Sequence, residues 1–330
     1  MGYGEYLPPF GPRLERRADF KIAGGMRLGP SNQIGAWLAQ GLSKHLAKGS
    51  TFTMQRGDGE PLVLVSQGKA DLCYSTLPSA TAAFLGKSSQ QPLANLRAIC
   101  ALPKRDWYQF VVPASLNVST VEELIDKKCP IRLAVPAGRT PSGTLSFAHL
   151  VFSAYGIDPR EIENWGGKLV IGGSSRPHEH VRRVLVNEAD SIFEDGVAVT
   201  HWWTLFAARE MRMLPIKNEA LALVFRETGS RATVIPQGWY YGRVPERDTP
   251  TVDASNWSVI VNESMDDELA YLLAGCAVEY KAELEAEFNM MPLERSSLTY
   301  PLFPPNMARD TGVIPLHKAA ERYYREKNYL

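Results

Sequence analysis

Apolar positions along the chain alternate between short strand-like runs and segments with apolar residues three or four apart. "FKIAGG" (20–25) reads as a strand ending on two glycines, and "SNQIGAWLAQGLSKHLA" (31–47) as an amphipathic helix capped by Ser31 or Asn32. "STFTMQRGDGE" (50–60) is an alternating strand that runs into a Gly-rich turn. "PLVLVSQGK" (61–69) is a short helix with Pro61 in its first turn, and "ADLCYST" (70–76) is a third strand. This β-α-β-α-β order predicts a parallel sheet with helices on its faces.

The middle of the chain repeats the style. "LRAICAL" (96–102), "YQFVVP" (108–113), "IRLAVPAGRT" (131–140), "KLVIGG" (168–173) and "DSIFED" (190–195) read as strands. Between them, 120–128, 141–157 and 177–189 read as helices, the first with Glu123 placed for a capping box. A further strand pair and a long amphipathic helix (266–288) follow. The last stretch, "TGVIPLHKAAERYYREKN" (311–328), is a turn, a short apolar pair and a helix with Ala319, Ala320, Tyr323 and Tyr324 on one face. The pattern predicts two similar α/β lobes, each with a mixed, mostly parallel sheet and helices on both faces. The expected division is an N-terminal arm (1–18), a first lobe (19–113 plus 236–330) and a second lobe (114–235). A ligand cleft is expected between the lobes, since ligands favour such clefts and the C-terminal ends of parallel strands.

A chain of 330 residues exceeds one typical core, which agrees with two lobes. The 36 basic and 36 acidic residues cancel, which argues against a nucleic-acid partner. No run reaches the length of a membrane span. The start, "MGYGEYLPPFGPRLERRADF", has no basic stretch followed by an apolar one, so it does not read as a signal peptide. A cytoplasmic location is expected on the sequence as given, and a periplasmic one if a leader has been removed. The arm could wrap a partner subunit in a homodimer. Cys73, Cys100, Cys129 and Cys276 are too widely spaced for a metal motif and read as small buried hydrophobes. No cofactor or metal is expected.

Four strand-to-helix junctions are rich in Gly, Ser or Thr: 24–32, 56–60, 74–79 and 136–144. Each can offer backbone N–H groups and hydroxyls to an anion. None has the spacing of a phosphate loop or a dinucleotide fingerprint. Arg27 and Arg139 lie inside two of them and can grip a carboxylate bidentately, or be solvated loop residues. "FEDGVAVTHWW" (193–203) gathers Glu194, Asp195, His201, Trp202 and Trp203. The acids and the His can do acid/base work or recognise an amine or hydroxyl. The tryptophans can wall a flat ligand, or they can pack a lobe.

"GVIPLHKAAERYYRE" resembles the C-terminal signature of the TAXI family, the solute-binding proteins of TRAP transporters. "IAGGMRLGPSNQIGAWLAQGLSK", "GDGEPLVLVSQGKADLCYS", "NLRAICAL", "PAGRTPSGTLSFAHLVFSAYGI" and "VIPQGWYYG" resemble further blocks of that family, in the same order. The resemblance implies a two-lobed periplasmic-binding-protein fold of type II, closure on a hinge, a small carboxylate ligand and TRAP-type membrane subunits as partners. It places ligand contacts at Arg27, Ser31 and Asn32, at Gly57 and Asp58, at Ser75 and Thr76, and at Ser142, Gly143 and Thr144. Departures are Lys318 and Ala319 in the signature, "GPSN" in the first turn, and the missing export signal.

Two functions are therefore expected. One is a binding protein for a small carboxylate, aromatic or dicarboxylic, held by Arg27 or Arg139 and covered by Trp202 or Trp203. The alternative is a cytoplasmic enzyme on the same fold, a decarboxylase, isomerase or lyase, with Glu194, Asp195 or His201 supplying a proton.

Overall fold

The computed structural model describes residues 10–11, 13–24, 30–56, 61–87, 91–136, 144–172, 179–196, 200–288 and 296–330. In chain order the elements begin β1 (Asp19–Gly24), α1 (Pro30–Ser43), β2 (Thr51–Arg56), α2 (Pro61–Ser66), β3 (Leu72–Thr76), α3 (Leu77–Leu85), β4 (Leu96–Leu102) and β5 (Gln109–Pro113). There follow α4 (Val121–Asp126), β6 (Arg132–Pro136), α5 (Thr144–Ala154), α6 (Glu161–Asn164), β7 (Lys168–Gly172), α7 (Glu179–Leu185), β8 (Ser191–Glu194), α8 (Thr200–Ala208) and β9 (Met211–Met213). The chain ends with α9 (Asn218–Thr228), β10 (Arg231–Ile235), β11 (Thr249–Asp253), β12 (Trp257–Asn262), α10 (Asp267–Glu279), α11 (Lys281–Phe288), α12 (Pro304–Arg309) and α13 (Lys318–Glu326).

Two five-stranded sheets carry the lobes, in the orders β2-β1-β3-β12-β4 and β7-β6-β8-β5-β9. They share a plan. In the first, β1 runs parallel to β2 and β3, while β12 is antiparallel to β3 and β4. In the second, β6 runs parallel to β7 and β8, while β5 is antiparallel to β8 and β9. The antiparallel strand in each sheet is one joined to the other lobe by a crossover. The sequence division left β5 in the first lobe, but its hydrogen bonds go to the second sheet. The chain therefore crosses between β4 and β5 and returns between β11 and β12. Tyr240, Val244 and Val252, assigned by sequence to the first lobe, pack into second-lobe cores.

The first lobe's largest core lies under α1, α10 and α13. Asp266 starts α10 by accepting from the N–H groups of Glu268 and Leu269, and the helix then buries Ala270, Leu272, Leu273, Ala274, Cys276 and Ala277. Gly41 lets α1 approach closely, since a Cβ there would sit 2.9 Å from Tyr280. All four cysteines are buried and free, as expected of small hydrophobes.

The C-terminal signature fastens this lobe. The Ala98 N–H donates to the Pro315 carbonyl, and the His317 N–H donates to the Ala98 carbonyl, both at 2.9 Å, which adds a short rung to the edge of β4. His317 Nδ1 then caps α13 by accepting from the Ala319 N–H (3.3 Å). Its Nε2 lies 3.2 Å from the Glu263 carbonyl, to which it donates. Tyr323 and Tyr324 are fully buried. Their hydroxyls donate to Glu279 Oε1 (2.9 Å) and to the Ile99 carbonyl (3.2 Å). Tyr324→Phe should cost about 1 kcal/mol, one neutral hydrogen bond. Tyr324→Ala should cost about 3–5 kcal/mol, the range for emptying a buried aromatic site. Urea unfolding of the two variants checks that ordering.

Candidate ligand site at the crossover

The sheets present the C-terminal ends of their parallel strands towards the crossovers. Ser75 and Thr76 end β3, and Glu194 ends β8, followed by Asp195. Register extends this edge across each sheet. Trp257 lies opposite both Thr76 and Leu102, and Gln109 lies opposite Glu194. Directly opposed residues share a sheet face, so Gln109 and Glu194 leave β5 and β8 on the same side.

The two crossing segments run side by side. The Asn256 N–H donates to the Lys104 carbonyl and the Ala254 N–H to the Asp106 carbonyl, both at 2.8 Å. The Asp106 N–H donates to Ser255 Oγ (3.0 Å). Asp106 Oδ2 accepts from Lys104 Nζ (3.2 Å) and from Trp257 Nε1 (3.1 Å). Lys104 Nζ also stands 4.0 Å from the centre of the Trp257 ring, and Tyr74 stacks on that ring at 4.0 Å. Lys104 and Asp106 are both buried.

This knot carries an excess of acids. Burial pushes the Glu194 carboxyl well above the usual carboxylate range, and the charges of Asp195 and Asp106 push it further. Asp195 is pushed up to about 7, by burial first and then by Asp106, with Lys104 pulling the other way. Among the described residues, Glu194 Oε2, Gln109 Nε2 and Tyr74 Oη are buried here with no hydrogen-bond partner. Gln109 Oε1 is occupied, accepting from the Tyr240 hydroxyl (2.8 Å).

The expected contacts are distributed as follows. Thr76 caps α3, accepting from the Ser79 N–H (3.3 Å) and donating to Ser79 Oγ (2.7 Å). Ser75 Oγ donates to the Thr76 carbonyl (3.3 Å). Trp202 is wholly buried, parallel to Phe206, with its Nε1 donating to the Asp195 carbonyl (3.3 Å). Trp203 is buried edge-on against Tyr240 and Tyr241. Both tryptophans belong to the core beneath α8, which corrects the expectation that they wall a ligand. His201 is exposed in the first turn of α8. Ser31 and Asn32 fall in the first turn of α1, and Thr144 is the first residue of α5. Arg27, Gly57, Asp58, Arg139, Ser142 and Gly143 lie outside the described residues. Sequence reasoning missed Tyr74, Lys104, Asp106, Gln109 and Trp257. The available signal was "LPKRDWYQF", a charged break between two apolar strands. Among the described residues no cluster of His, Cys, Asp or Glu has the arrangement of a metal site.

Two mixed sheets of this order, joined by paired crossovers with strand ends facing them, define the two-lobed periplasmic-binding-protein fold of type II. The model of the NMT1-like family matches residues 31–327, and the chain belongs to that family. Solved structures agree on the fold. A protein of Bordetella bronchiseptica RB50 superposes with a TM-score of 0.52 at 11% identity, over 94% of this chain and 98% of its own. PhnD1 of Prochlorococcus marinus (MIT 9301), solved with methylphosphonate, gives 0.50 at 12%, over 97% and 100%. R. palustris Rpa4515, solved with adipate, gives 0.50 at 14%, over 95% and 97%. No curated protein matches the chain by sequence.

The raised acids set a pH dependence. Between about pH 4 and 7 the folded chain holds a proton on Asp195 that the unfolded chain has lost, because the carboxyl moves from 3.8 to about 7 on folding. The stability this contributes is complete below about pH 4 and is lost as pH rises through 7. Asp195→Asn should therefore stabilise the protein at pH 8 and leave it unchanged near pH 4. The gain should be roughly 1–2 kcal/mol, less than the full shift because Asp195 is partly open to water. Thermal melts of both proteins across that range check the sign.

Proposed function

We propose that this chain is a solute-binding protein that closes its two lobes over a small organic carboxylate. The observation that carries the proposal is the meeting of both sets of parallel strand ends at one pair of crossovers. The Gly, Ser and Thr junctions of the sequence follow those same strands, at 24–32, 56–60, 74–79 and 136–144. Backbone N–H groups at such junctions favour an anion. Membership of the NMT1-like family supports the reading. So do two proteins of like fold, whose bound ligands are a phosphonate and a dicarboxylate. The motif order shared with the TAXI family supports a receptor that works with TRAP-type membrane subunits. In that role it would act outside the cytoplasm. A dicarboxylate is the favoured ligand, with Arg139 holding one acid group.

Titration with adipate and related diacids should give saturable binding and a raised Tm. The increase in stability should be about 2.7 kcal/mol at one hundred times Kd. The corresponding diamides should do neither. Arg139→Ala should weaken the diacid by about tenfold or more, as expected when a desolvated charge-assisted contact is lost. Calorimetry showing equal affinity for diacid and diamide would overturn the carboxylate assignment.

A further inference from the structure

A separate cavity of about 680 Å3 opens on the flank of the crossover. One wall is the side of α3 in the first lobe. The other is the end of α9 and the start of β10, beside the second sheet, and segment 309–313 closes the rim. Its lining includes Ser255 and Asn256 of the returning crossover but none of Ser75, Thr76, Glu194 or Asp195, so it lies beside the strand ends rather than at them. Its size falls within the range of small-molecule pockets.

The lining combines two chemistries. Leu85, Phe225 and Val313 stand 46%, 55% and 51% exposed around the same cavity. Three large apolar side chains open to water at one place are uncommon on a surface without a ligand or partner. Arg231 on β10 and Arg309 at the end of α12 also line it, and both are exposed. Neither guanidinium belongs to an ion pair among the described residues. Two acids share the lining. Asp253 spends Oδ1 on the Ser255 N–H (2.8 Å), and burial raises its carboxyl while Arg231 lowers it. Asp310 is exposed and follows Arg309 directly. Lys87 Nζ donates to the Arg226 carbonyl (3.0 Å), tying the end of α3 to α9 at one end of the cavity.

We propose that this cavity is a second binding site, for an organic anion with an apolar body such as a medium-chain carboxylate. Arg231 and Arg309 hold the head, and Leu85, Phe225 and Val313 cover the chain. A guanidinium suits a planar carboxylate because it can bond both oxygens at once. The chain gains by removing apolar surface from water on both sides. The two arginines come from opposite sides of the crossover, so one bound head group would bridge the lobes. This inference does not rest on the identity of the ligand at the strand ends.

The test is calorimetric titration of the full chain with octanoate, with octanol as the uncharged control. Octanoate should bind saturably, and octanol at least about tenfold more weakly. Arg231→Glu and Arg309→Glu should each weaken octanoate by about tenfold or more, as loss of a charge-assisted contact implies. Phe225→Ser should weaken both compounds. All three positions are exposed, and thermal melts verify folding. Arg231→Gln and Arg309→Gln replace any charge-reversed variant that misfolds. Octanoate affinity unchanged in both arginine variants would place the bound acid elsewhere and overturn the proposal. Equal affinity for octanol, or no saturable binding to the wild-type chain, would overturn it as well.

Discussion

The fold depends on how Asp106 is satisfied. A carboxylate with almost no exposure to water must be compensated, and this one is, by the Lys104 ammonium and the Trp257 indole N–H. Lys104 and Asp106 lie on the outgoing crossover, while Trp257 opens β12 just after the return. The ion pair and the indole bond therefore tie together the two stretches of chain that join the lobes. The backbone rungs 104–256 and 106–254 reinforce the tie. Tyr74 of β3 stacks on Trp257 and extends the tie into the first sheet. Removing one partner of such a buried pair leaves a charge without compensation, which costs about 3–5 kcal/mol in comparable cases. The relative setting of the two sheets, and of any ligand between them, rests on this small polar knot.

Local features of the fold were legible in the sequence because they depend on local pattern. The runs that became β1, β3, β4, β6, β7 and β8 are apolar and bounded by turn residues, and α4 carries its capping box in full view. Thr120 accepts from the Glu123 N–H, and Glu123 reaches back to the Ser119 N–H. Non-local features were less visible. That β5 belongs to the second sheet is a matter of pairing, and a strand run does not name its neighbour. The Pro315–His317 rung on β4 is equally hidden, since its partner, Ala98, is more than two hundred residues away in the chain. "THWWTLFAA" is short and nearly all apolar, so its helical period does not show. Its two tryptophans could therefore be read as a ligand wall or as lobe packing, and they pack in a core.

The candidate site was legible in part, and the missing part has a physical cause. Gly, Ser and Thr at strand ends announce themselves by type, so those junctions could be picked out as candidates from the sequence. Lys104 and Asp106 look in sequence like charges in a solvated turn. Only the fold reveals that both are buried and that an indole N–H completes their bonding. Thr76 shows the reverse case. Its type fits a ligand contact, yet its hydroxyl is engaged with Ser79 at the start of α3. A polar side chain at a strand end has several calls on its hydrogen bonds, and the helix that follows is the nearest.

The charge of the knot also bears on which ligand can approach it. Counted formally, Asp106, Glu194 and Asp195 against Lys104 would leave a strongly negative floor, a poor neighbour for a carboxylate. Burial changes that count. Glu194 is held protonated well above the ordinary carboxylate range, and Asp195 titrates near 7. Lys104 cancels Asp106 at 3.2 Å. Burial thus makes the floor less negative than the formal count. Such a floor repels an anion less than the formal count implies. Any preference for an anion would then fall to the Gly, Ser and Thr junctions that follow the strands in the sequence.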